Sequence, residues 1–436
     1  MIDPFVFMVV EDMEEGKNYG HGGFFPVKLG DVLGPECSAP GSPRYRISAK
    51  LGHGSYSTVW LARDLVARRT VAIKIVRASE SATSRETAIL KHLRTPISDP
   101  PAVLQLLDSF TVTSANGIHQ ALVTEPVILL QHLLKLPGIQ VNTRSLVRQA
   151  LEGLAFIHER GIAHGGDSQP HPDLYPSNIG VAIPDLDSFS EVDIWDMCGP
   201  PTIVPLVAYD PAHDVASFPP YLTHAVDLGE LLVSDVPGFA AREPHVRILD
   251  LGSYFAEESP SPPCHTPLSY AAPEVAFPMI AHGNRDAPWD RRADIWALGC
   301  TIYQFAGGGL LFGHIGTHIL DDTAALCGGA PADWTAYFAS VPDKVRPRAY
   351  TPEAADALWA TRAEHLQRGG QTAEDARGLV TLLRRMLVLD PMERPPASEL
   401  LQDPYVVGRD LTTRPSDHAP LPVEHPSPLG RAIVVG

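Results

Sequence analysis

Apolar residues along the chain follow two different periods, and the change between them falls near residue 127. Before it, short segments rich in β-branched and aromatic residues are separated by Gly, His and Arg clusters, which is typical of antiparallel strands. These segments are residues 45–52, 57–64, 70–77, 104–110 and 119–125. Residues 84–93 instead have helical spacing. The first part of the chain is therefore predicted to be a small sheet with one helix.

Helical spacing dominates after residue 127. Residues 143–159 place their apolar side chains on one stripe, which predicts an amphipathic helix with Thr143 as its N-cap. Residues 376–387 repeat this pattern. The predicted fold class is therefore α+β with two lobes, a small antiparallel β-sheet lobe with one helix and a larger, mainly helical lobe.

Segments without a clear period set the expected boundaries. Residues 1–44 form an N-terminal extension, and its Gly-, Pro- and acid-rich part is expected to lie as an extended arm over the first lobe. The first lobe covers residues 45–126 and the second covers 127–405. Residues 184–244 interrupt the second lobe as a spacer insert, expected to be partly ordered at best. Residues 406–436 are expected to form a C-terminal tail.

Size and charge narrow the range of functions. The 436 residues exceed what one hydrophobic core usually supports, which favours two lobes with a shared cleft. A net charge of −17 argues against direct nucleic-acid binding and is compatible with a basic peptide partner. The alternative is that the acidic surface only keeps the protein in solution.

Cysteine usage and hydropathy indicate the compartment. The five cysteines are widely spaced without a C-x-x-C pair, which indicates reduced intracellular thiols. The apolar residues 1–10 are too short to span a membrane and make a weak signal peptide, and no other run approaches about 18 apolar residues. We therefore expect no membrane association.

A glycine loop and a lysine carry the first chemical signal. Leu51-Gly-His-Gly-Ser-Tyr-Ser-Thr-Val59 lies between two predicted strands, so its glycines would let the backbone fold over phosphate oxygens. A plain hairpin turn is the alternative. Lys74 lies in an otherwise apolar strand, where its ammonium is costly to bury unless paired. Glu86, on the following helix, is the expected partner.

A loop with one carboxylate and one carboxamide carries the second signal. If Asp250 comes back in space beside Asp173-Leu-Tyr-Pro-Ser-Asn178, two carboxylates and an amide converge on one point, as phosphoryl transfer from a magnesium nucleotide requires. A D-x-x-x-x-N stretch is common by chance. It supports this chemistry only because four other stretches occur in the right order around it.

Together these stretches resemble a eukaryotic protein kinase. The resemblance rests on Gly52-x-Gly54, Lys74, Glu86, Asp173 with Asn178, Asp250-Leu-Gly252, Ala272-Pro-Glu274, Asp294-Ile-Trp-x-x-Gly299 and Arg394, in the family's order. Residues 20–30 and 51–64, and the long insert after Asn178, are similar to the SR-protein kinase branch. Residues 265–270 resemble the activation segments of its fungal-type members. The resemblance implies a bilobal protein-kinase-like fold.

The resemblance also implies the site. ATP and magnesium are the expected cofactors. The implied ATP-binding residues are Leu51, Gly52, Gly54, Ser55, Val59, Ala72, Lys74, Glu86, Thr124, Glu125 and Val127. Asn178 and Asp250 would ligate magnesium, and the implied catalytic residues are Asp173, Lys74, Asn178 and Asp250. Glu274 and Arg394 are expected to form an ion pair, and Asp294 to hold the catalytic-loop backbone.

The sequence departs from the family's pattern just before Asp173. Residues 166–172 intervene where a histidine and often an arginine precede the catalytic aspartate, so that either His164 or His171 could fill the histidine's role. Asp167 is a competing aspartate, but its distance to Asn178 does not suit a shared metal site. Tyr175 replaces the usual loop lysine, which should slow turnover.

The resemblance implies an ATP-dependent serine/threonine protein kinase that transfers the γ-phosphate to serines of basic, Arg/Ser-rich proteins. The alternative is a weakly active or inactive kinase-like scaffold that docks partners, because of the residues inserted before Asp173 and because of Tyr175. We expect a monomer in the cytoplasm, the nucleus or both.

Overall fold

The fold was analysed in a computed structural model of the chain. It describes residues 5–6, 13–34, 44–94, 101–139, 141–163, 174–183, 186–199, 201–208, 214–236, 239–251, 255–256, 267–285, 288–314, 316–340 and 350–408. The strands are β1 Phe5–Val6, β2 Val32–Leu33, β3 Tyr45–His53, β4 Ser57–Asp64, β5 Arg69–Val76, β6 Leu106–Ser114, β7 Gly117–Thr124, β8 Val127–Leu129, β9 Ile162–Ala163, β10 Ile179–Ala182, β11 Ile203–Pro205, β12 Val207–Ala208, β13 Tyr221–Thr223, β14 Val246–Ile248 and β15 Phe255–Ala256.

The helices lie mostly after residue 127. They are α1 Ala78–Ser81, α2 Glu86–Leu93, α3 Leu130–Leu133, α4 Thr143–His158, α5 Glu191–Cys198, α6 Leu228–Asp235, α7 Pro273–His282, α8 Arg291–Tyr303, α9 Thr317–Cys327, α10 Ala332–Ser340, α11 Pro352–Arg368, α12 Ala373–Met386, α13 Ala397–Leu400 and α14 Pro404–Val407. None of these helices has both the length and the apolar character needed to cross a membrane.

The small lobe is one antiparallel sheet of six strands in the order β2-β3-β4-β5-β7-β6. Alternating β-branched and aromatic residues build it, because successive side chains of a strand point to opposite faces. One face buries Tyr45, Ile47, Trp60, Ile73 and Val123. Helix α2 packs against the sheet, as predicted, although it begins at Glu86 and a short α1 precedes it.

The large lobe is built around helices α4, α8 and α12. Helix α8 is buried on every side from Ala293 to Tyr303, which is typical of a central helix. The stripe predicted for α4 is buried, but the predicted cap is wrong. Asn142, not Thr143, accepts the hydrogen bond from the Ser145 amide, because Asn142 has an extended backbone whereas Thr143 is already helical. The last described helix, α14, continues to Val407, beyond the expected boundary at residue 405.

A three-stranded sheet at the top of the large lobe positions the loops of interest. Its order is β14-β10-β8, and Ile179 of β10 pairs with Ile248 of β14. Asn178 precedes Ile179, and Asp250 follows Ile248 by two residues. The antiparallel register therefore brings Asn178 and Asp250 to the same edge of the sheet.

The insert is more regular than its aperiodic sequence indicated. Between residues 184 and 244 the described part contains α5, α6 and three short strands. Helix α5 docks on β3, because Glu191 pairs with Arg46 at 2.9 Å and the Trp195 indole donates to the Ser48 carbonyl at 2.8 Å. These elements belong to the described part of the insert, and the expectation for residues 184–244 as a whole stays a prediction.

The arm and the insert share a separate small core. Tyr19 and Phe24 of the arm are buried against Leu206, Phe218 and Leu222 of the insert. The side-chain carboxamide of Asn116, at the β6–β7 turn, donates to the backbone carbonyl oxygens of Phe24 and Ser217 at 2.7 and 2.6 Å. Glu14 of the arm also forms a buried ion pair with Lys50 of β3. Arm, insert and small-lobe sheet are thus packed together.

Of the five cysteines, Cys300 and Cys327 have described side chains, and both are free thiols. Burial raises the pKa of the Cys327 thiol to about 12, so that this thiol stays protonated near neutral pH.

Candidate active site

Lys74 lies at the centre of the small-lobe sheet, between Val59 of β4 and Leu122 of β7. Its ammonium Nζ is 2.7 Å from Glu86 Oε2 and 3.0 Å from Asp250 Oδ1. The predicted Lys74–Glu86 ion pair is therefore confirmed. Asp250 is a second partner, 176 residues away in sequence.

Glu86 is the first residue of α2, and only 1% of it is exposed. A buried carboxylate is costly unless it is paired and hydrogen-bonded. Lys74 provides the pairing, and the positive end of the α2 dipole also favours a negative charge at this position. The ion pair fixes α2 against the sheet.

Asp250 has a left-handed backbone, with φ at 52°. Among the described residues, only Arg68 is another non-glycine residue with positive φ. Such a conformation costs on the order of 1–3 kcal/mol and persists where surrounding contacts impose it. Here the preceding residue is held, since the Leu249 amide donates to the Asn178 carbonyl at 2.8 Å.

Asn178 ends a short 3-10 helix, Pro176–Asn178, and is buried. With Asp250 it offers a carboxamide and a carboxylate on adjoining chain segments. Oxygen donors of this kind suit Mg²⁺, which usually takes one or two carboxylates plus water and substrate phosphates. The described residues contain no cluster of three or more His, Cys, Asp or Glu side chains that could hold a metal on its own.

The glycine loop is the hairpin between β3 and β4. A Cβ added at Gly52 or Gly54 would meet no atom within 4 Å, so that the space over both residues is open. The loop is closed by the Gly54 amide, which donates to the Ser57 carbonyl at 2.9 Å. The Arg77 guanidinium donates to the Ser55 carbonyl at 3.2 Å. The hairpin is thus formed, and its glycine backbone is accessible to a ligand.

The residues expected around adenine include one on each of β3, β5, β7 and β8. Ala72 of β5 pairs with Thr124 of β7, and both are buried. Val127 begins β8, and Leu51 of β3 is half-buried. Glu125 points its carboxylate to Arg247 of β14, with Nε–Oε1 and Nη2–Oε2 distances of 2.7 and 3.3 Å.

The expected catalytic aspartate, Asp173, lies outside the described residues, as do His164, Asp167, His171 and Gly252. The chain directly after it is described. The buried Thr301 hydroxyl of α8 donates to the Leu174 carbonyl, and the Asn178 amide donates to the Tyr175 carbonyl at 2.8 Å. The catalytic role of Asp173 stays a prediction.

Tyr175 occupies the position where the family usually has a loop lysine, and its ring centroid lies 5.9 Å from that of Tyr270. The Tyr270 hydroxyl donates a hydrogen bond to Gln304 Oε1. The position therefore provides aromatic packing instead of a positive charge.

One ion pair and one side-chain hydrogen bond anchor the large lobe beneath the site. Glu274 and Arg394 form the expected pair with two hydrogen bonds of 2.8 and 2.7 Å. Asp294 accepts a hydrogen bond from His158 of α4 at 2.9 Å. Residues 164–173 of the loop whose backbone Asp294 was expected to hold lie outside the described residues.

Sequence reasoning missed His158 and Arg247. His158 is separated from Asp294 by 136 residues, and Arg247 from Glu125 by 122. Their burial within the regular elements α4 and β14 was the available signal, because a charged or titratable side chain in such a place usually has a partner.

The family model for the protein kinase domain matches residues 45–182 and 239–406. The chain belongs to the protein kinase family. The gap in the match, residues 183–238, covers most of the insert.

The relatives that this protein kinase matches include proteins named serine/threonine-protein kinase and SRSF protein kinase. Serine/threonine-protein kinase spk-1 of Caenorhabditis elegans is 38% identical over 187 residues, which cover 40% of this chain and 17% of that protein. Human SRSF protein kinase 3 is 34% identical over 205 residues, or 44% of this chain and 34% of that protein. The kinase thus aligns with less than half of each of these two relatives.

Two other similarities extend over nearly the whole kinase. A serine/threonine protein kinase of Aspergillus fumigatus is 27% identical over 423 residues, covering 90% of this chain and 89% of that protein. The crystal structure of the kinase domain PF14_0431 superposes with a TM-score of 0.52 at 16% identity, covering 88% of this chain and 98% of that one. The latter confirms the bilobal α+β kinase fold.

Proposed function

We propose that this protein transfers the γ-phosphoryl group of ATP to serine hydroxyls in basic, Arg/Ser-rich protein segments. The observation that carries the proposal is the convergence of Glu86 and Asp250 on Lys74, with Asn178 directly before the adjoining strand β10. Phosphoryl transfer depends mainly on positioning and charge neutralisation, which this arrangement supplies.

Each side chain has a distinct role in this proposal. Lys74, held by Glu86, would bind the phosphates of ATP. Asn178 and Asp250 would hold magnesium, which neutralises the charge on the transferring phosphoryl group when it is bound. Asp173 would orient the serine hydroxyl and receive its proton. The glycine backbone of Gly52 and Gly54 would cover the phosphates.

The substrate class rests on two weaker observations. The net charge of −17 favours a basic partner, since an acidic surface raises its local concentration. Three similar proteins also bear the name SRSF protein kinase. As further parts of the proposal, the kinase acts as a monomer in the cytoplasm or nucleus, without nucleic-acid or membrane partners.

Radiolabelled transfer to an Arg-Ser repeat peptide tests the activity. The informative variant is Asp250→Asn, because asparagine tolerates the left-handed backbone that alanine would strain. We expect it to lose transfer, whereas Asp356→Asn, at an exposed helix position, should keep it. Equal incorporation by the wild type and Asp250→Asn would refute the proposal. An Asp-Ser repeat peptide serves as the charge control for substrate class.

The Tyr175–Tyr270 packing favours one second candidate, a scaffold with weak or no turnover. Thermal unfolding with and without magnesium-ATP separates the two, because a ligand at 100 times its dissociation constant stabilises by about 2.7 kcal/mol. An unchanged melting temperature together with no transfer would support the scaffold.

A further inference from the structure

The insert reaches the nucleotide cleft with residues 224–229, between β13 and α6. Ala225 pairs in parallel with Lys50 of β3, and the Val226 amide donates to the Lys50 carbonyl at 2.8 Å. Lys50 directly precedes Leu51 and Gly52, with which the glycine loop begins. The insert backbone therefore holds the strand that leads into this loop.

The other end of the same segment packs against the large lobe. Leu228 is buried in the large-lobe core together with Ile128 of β8. A Cβ added at Gly229 would lie 2.4 Å from Ile128 Cδ1 and 2.7 Å from Leu136 Cδ1. Helix α6 thus begins in direct contact with β8, at a distance that leaves no room for a larger residue. Residues 224–229 therefore contact both β3 of the small lobe and β8, which belongs to the three-stranded sheet at the top of the large lobe.

A cavity of about 570 Å³ lies between these two attachments. One wall is Leu51, Gly52 and His53, a second is Val127 to Leu129 with His132, and the third is residues 224–228 of the insert. Leu51, Gly52 and Val127 belong to the residues expected to hold ATP. The insert therefore lines a cavity that three of the predicted ATP-binding residues also line.

We propose that residues 224–229 are a part of the nucleotide site. They form its outer wall, and through the Val226 amide they hold β3 at a fixed separation from β8. Val226 is a positioning residue, since it acts on the nucleotide through the glycine-loop strand. The inference rests on the proposed nucleotide site, and it adds that the insert contributes to nucleotide affinity.

The test replaces the amide and leaves the fold of the insert in place. Val226→Pro removes the backbone N–H that donates to the Lys50 carbonyl, whereas Val226→Ala shortens the side chain and keeps that N–H. The matched control is Val215→Pro, in the same insert. Val215 is 76% exposed and is the first residue of a short 3-10 helix, Val215–Ser217, with Asp214 as N-cap; proline is tolerated at this first position. Gly229→Val is a second variant that displaces the segment at its β8 end.

Affinity for a fluorescent ADP derivative is measured in the full-length protein, together with KM for ATP and kcat. We expect Val226→Pro to raise Kd and KM by about three- to tenfold with kcat little changed, the range that one net hydrogen bond allows. Gly229→Val should act in the same direction. Val215→Pro should bind as the wild type does, and Val226→Ala, which keeps the N–H, should raise Kd by less than Val226→Pro does. Melting without nucleotide shows whether each variant is folded.

The outcomes separate this inference from the proposed function. Wild-type affinity in folded Val226→Pro and Gly229→Val would overturn the inference and leave the kinase proposal intact. A wild type that binds ADP with this dependence on residue 226, yet transfers no phosphate, would support the inference and overturn the kinase proposal. A wild type that binds no ADP would overturn both.

Discussion

Replacing Arg394 by methionine should be among the most destabilising single changes in the large lobe. The Arg394 side chain is fully buried. It donates two hydrogen bonds to Glu274 and one each to the carbonyl oxygens of Val388, Leu389 and Arg292, at distances from 2.7 to 3.2 Å. Methionine removes all five and leaves the Glu274 carboxylate without its guanidinium.

The magnitude follows from the burial of the pair. Removing one partner of a buried ion pair costs about 3–5 kcal/mol, and because 19% of the Glu274 side chain is exposed we expect about 3 kcal/mol. The matched control is Arg384→Met, which breaks the 2.7 Å pair with Asp356 on the surface. Both side chains there are about half exposed, so the expected loss is about 0–1 kcal/mol.

Urea unfolding followed by tryptophan fluorescence gives the comparison, and Trp296 is a local reporter because its ring lies 5.2 Å from the Arg394 guanidinium. The double variant Glu274→Leu with Arg394→Met should recover part of the loss, since no carboxylate is then left unpaired. ADP affinity should be unchanged, because the contacts above all lie in the large lobe. Equal losses for Arg394→Met and Arg384→Met would refute the reasoning.

Three smaller predictions concern a cap, a glycine and a histidine. Asn142→Ala should lower the free energy of unfolding by about 1 kcal/mol through loss of the α4 cap, as measured by urea unfolding; no change would contradict the cap assignment. Gly153→Ala should destabilise despite the higher helix propensity of alanine, because its Cβ would lie 2.5 Å from the Ala102 carbonyl oxygen, and a rise in melting temperature would show that the backbone can yield. Burial lowers the pKa of His119 below 6.5, so the folded state favours the neutral imidazole. The contribution of His119 to the free energy of unfolding should be complete above pH 6.5 and decline as the pH falls through the lowered pKa. In melting curves recorded over a series of pH values, His119→Asn should flatten that decline, whereas the control His92→Asn, at an exposed site, should not.

The parts of the fold with strong local patterns could be predicted from the sequence. The small-lobe strands follow the alternation of β-branched residues, and the Lys74–Glu86 pair followed from the cost of burying a lysine within an apolar strand. The Thr143 cap was assigned one residue too late, because capping depends on the backbone angles of Asn142 and these are not visible in a pattern of residue types.

The insert could not be predicted in this way, for a physical reason. Its strands have two or three residues and its helices eight, so that neither reaches the length at which a period becomes visible. Its apolar residues Phe218 and Leu222 pack against Phe24, almost two hundred residues earlier. The packing of such segments depends on tertiary contacts that local sequence does not encode.

The core shared by the arm and the insert also constrains how this kinase can change over evolutionary time. Tyr19 and Phe24 are covered by Leu206, Phe218 and Leu222, so the loss of either segment would expose an apolar surface of the other to solvent. We therefore expect that homologous chains acquire or lose the two segments together, and that a bulkier residue at position 24 is accompanied by a smaller one at position 218 or 222. A minimal catalytic fragment trimmed to residues 45–182 and 239–406 would discard both halves at once, and it would also leave Lys50 buried without Glu14.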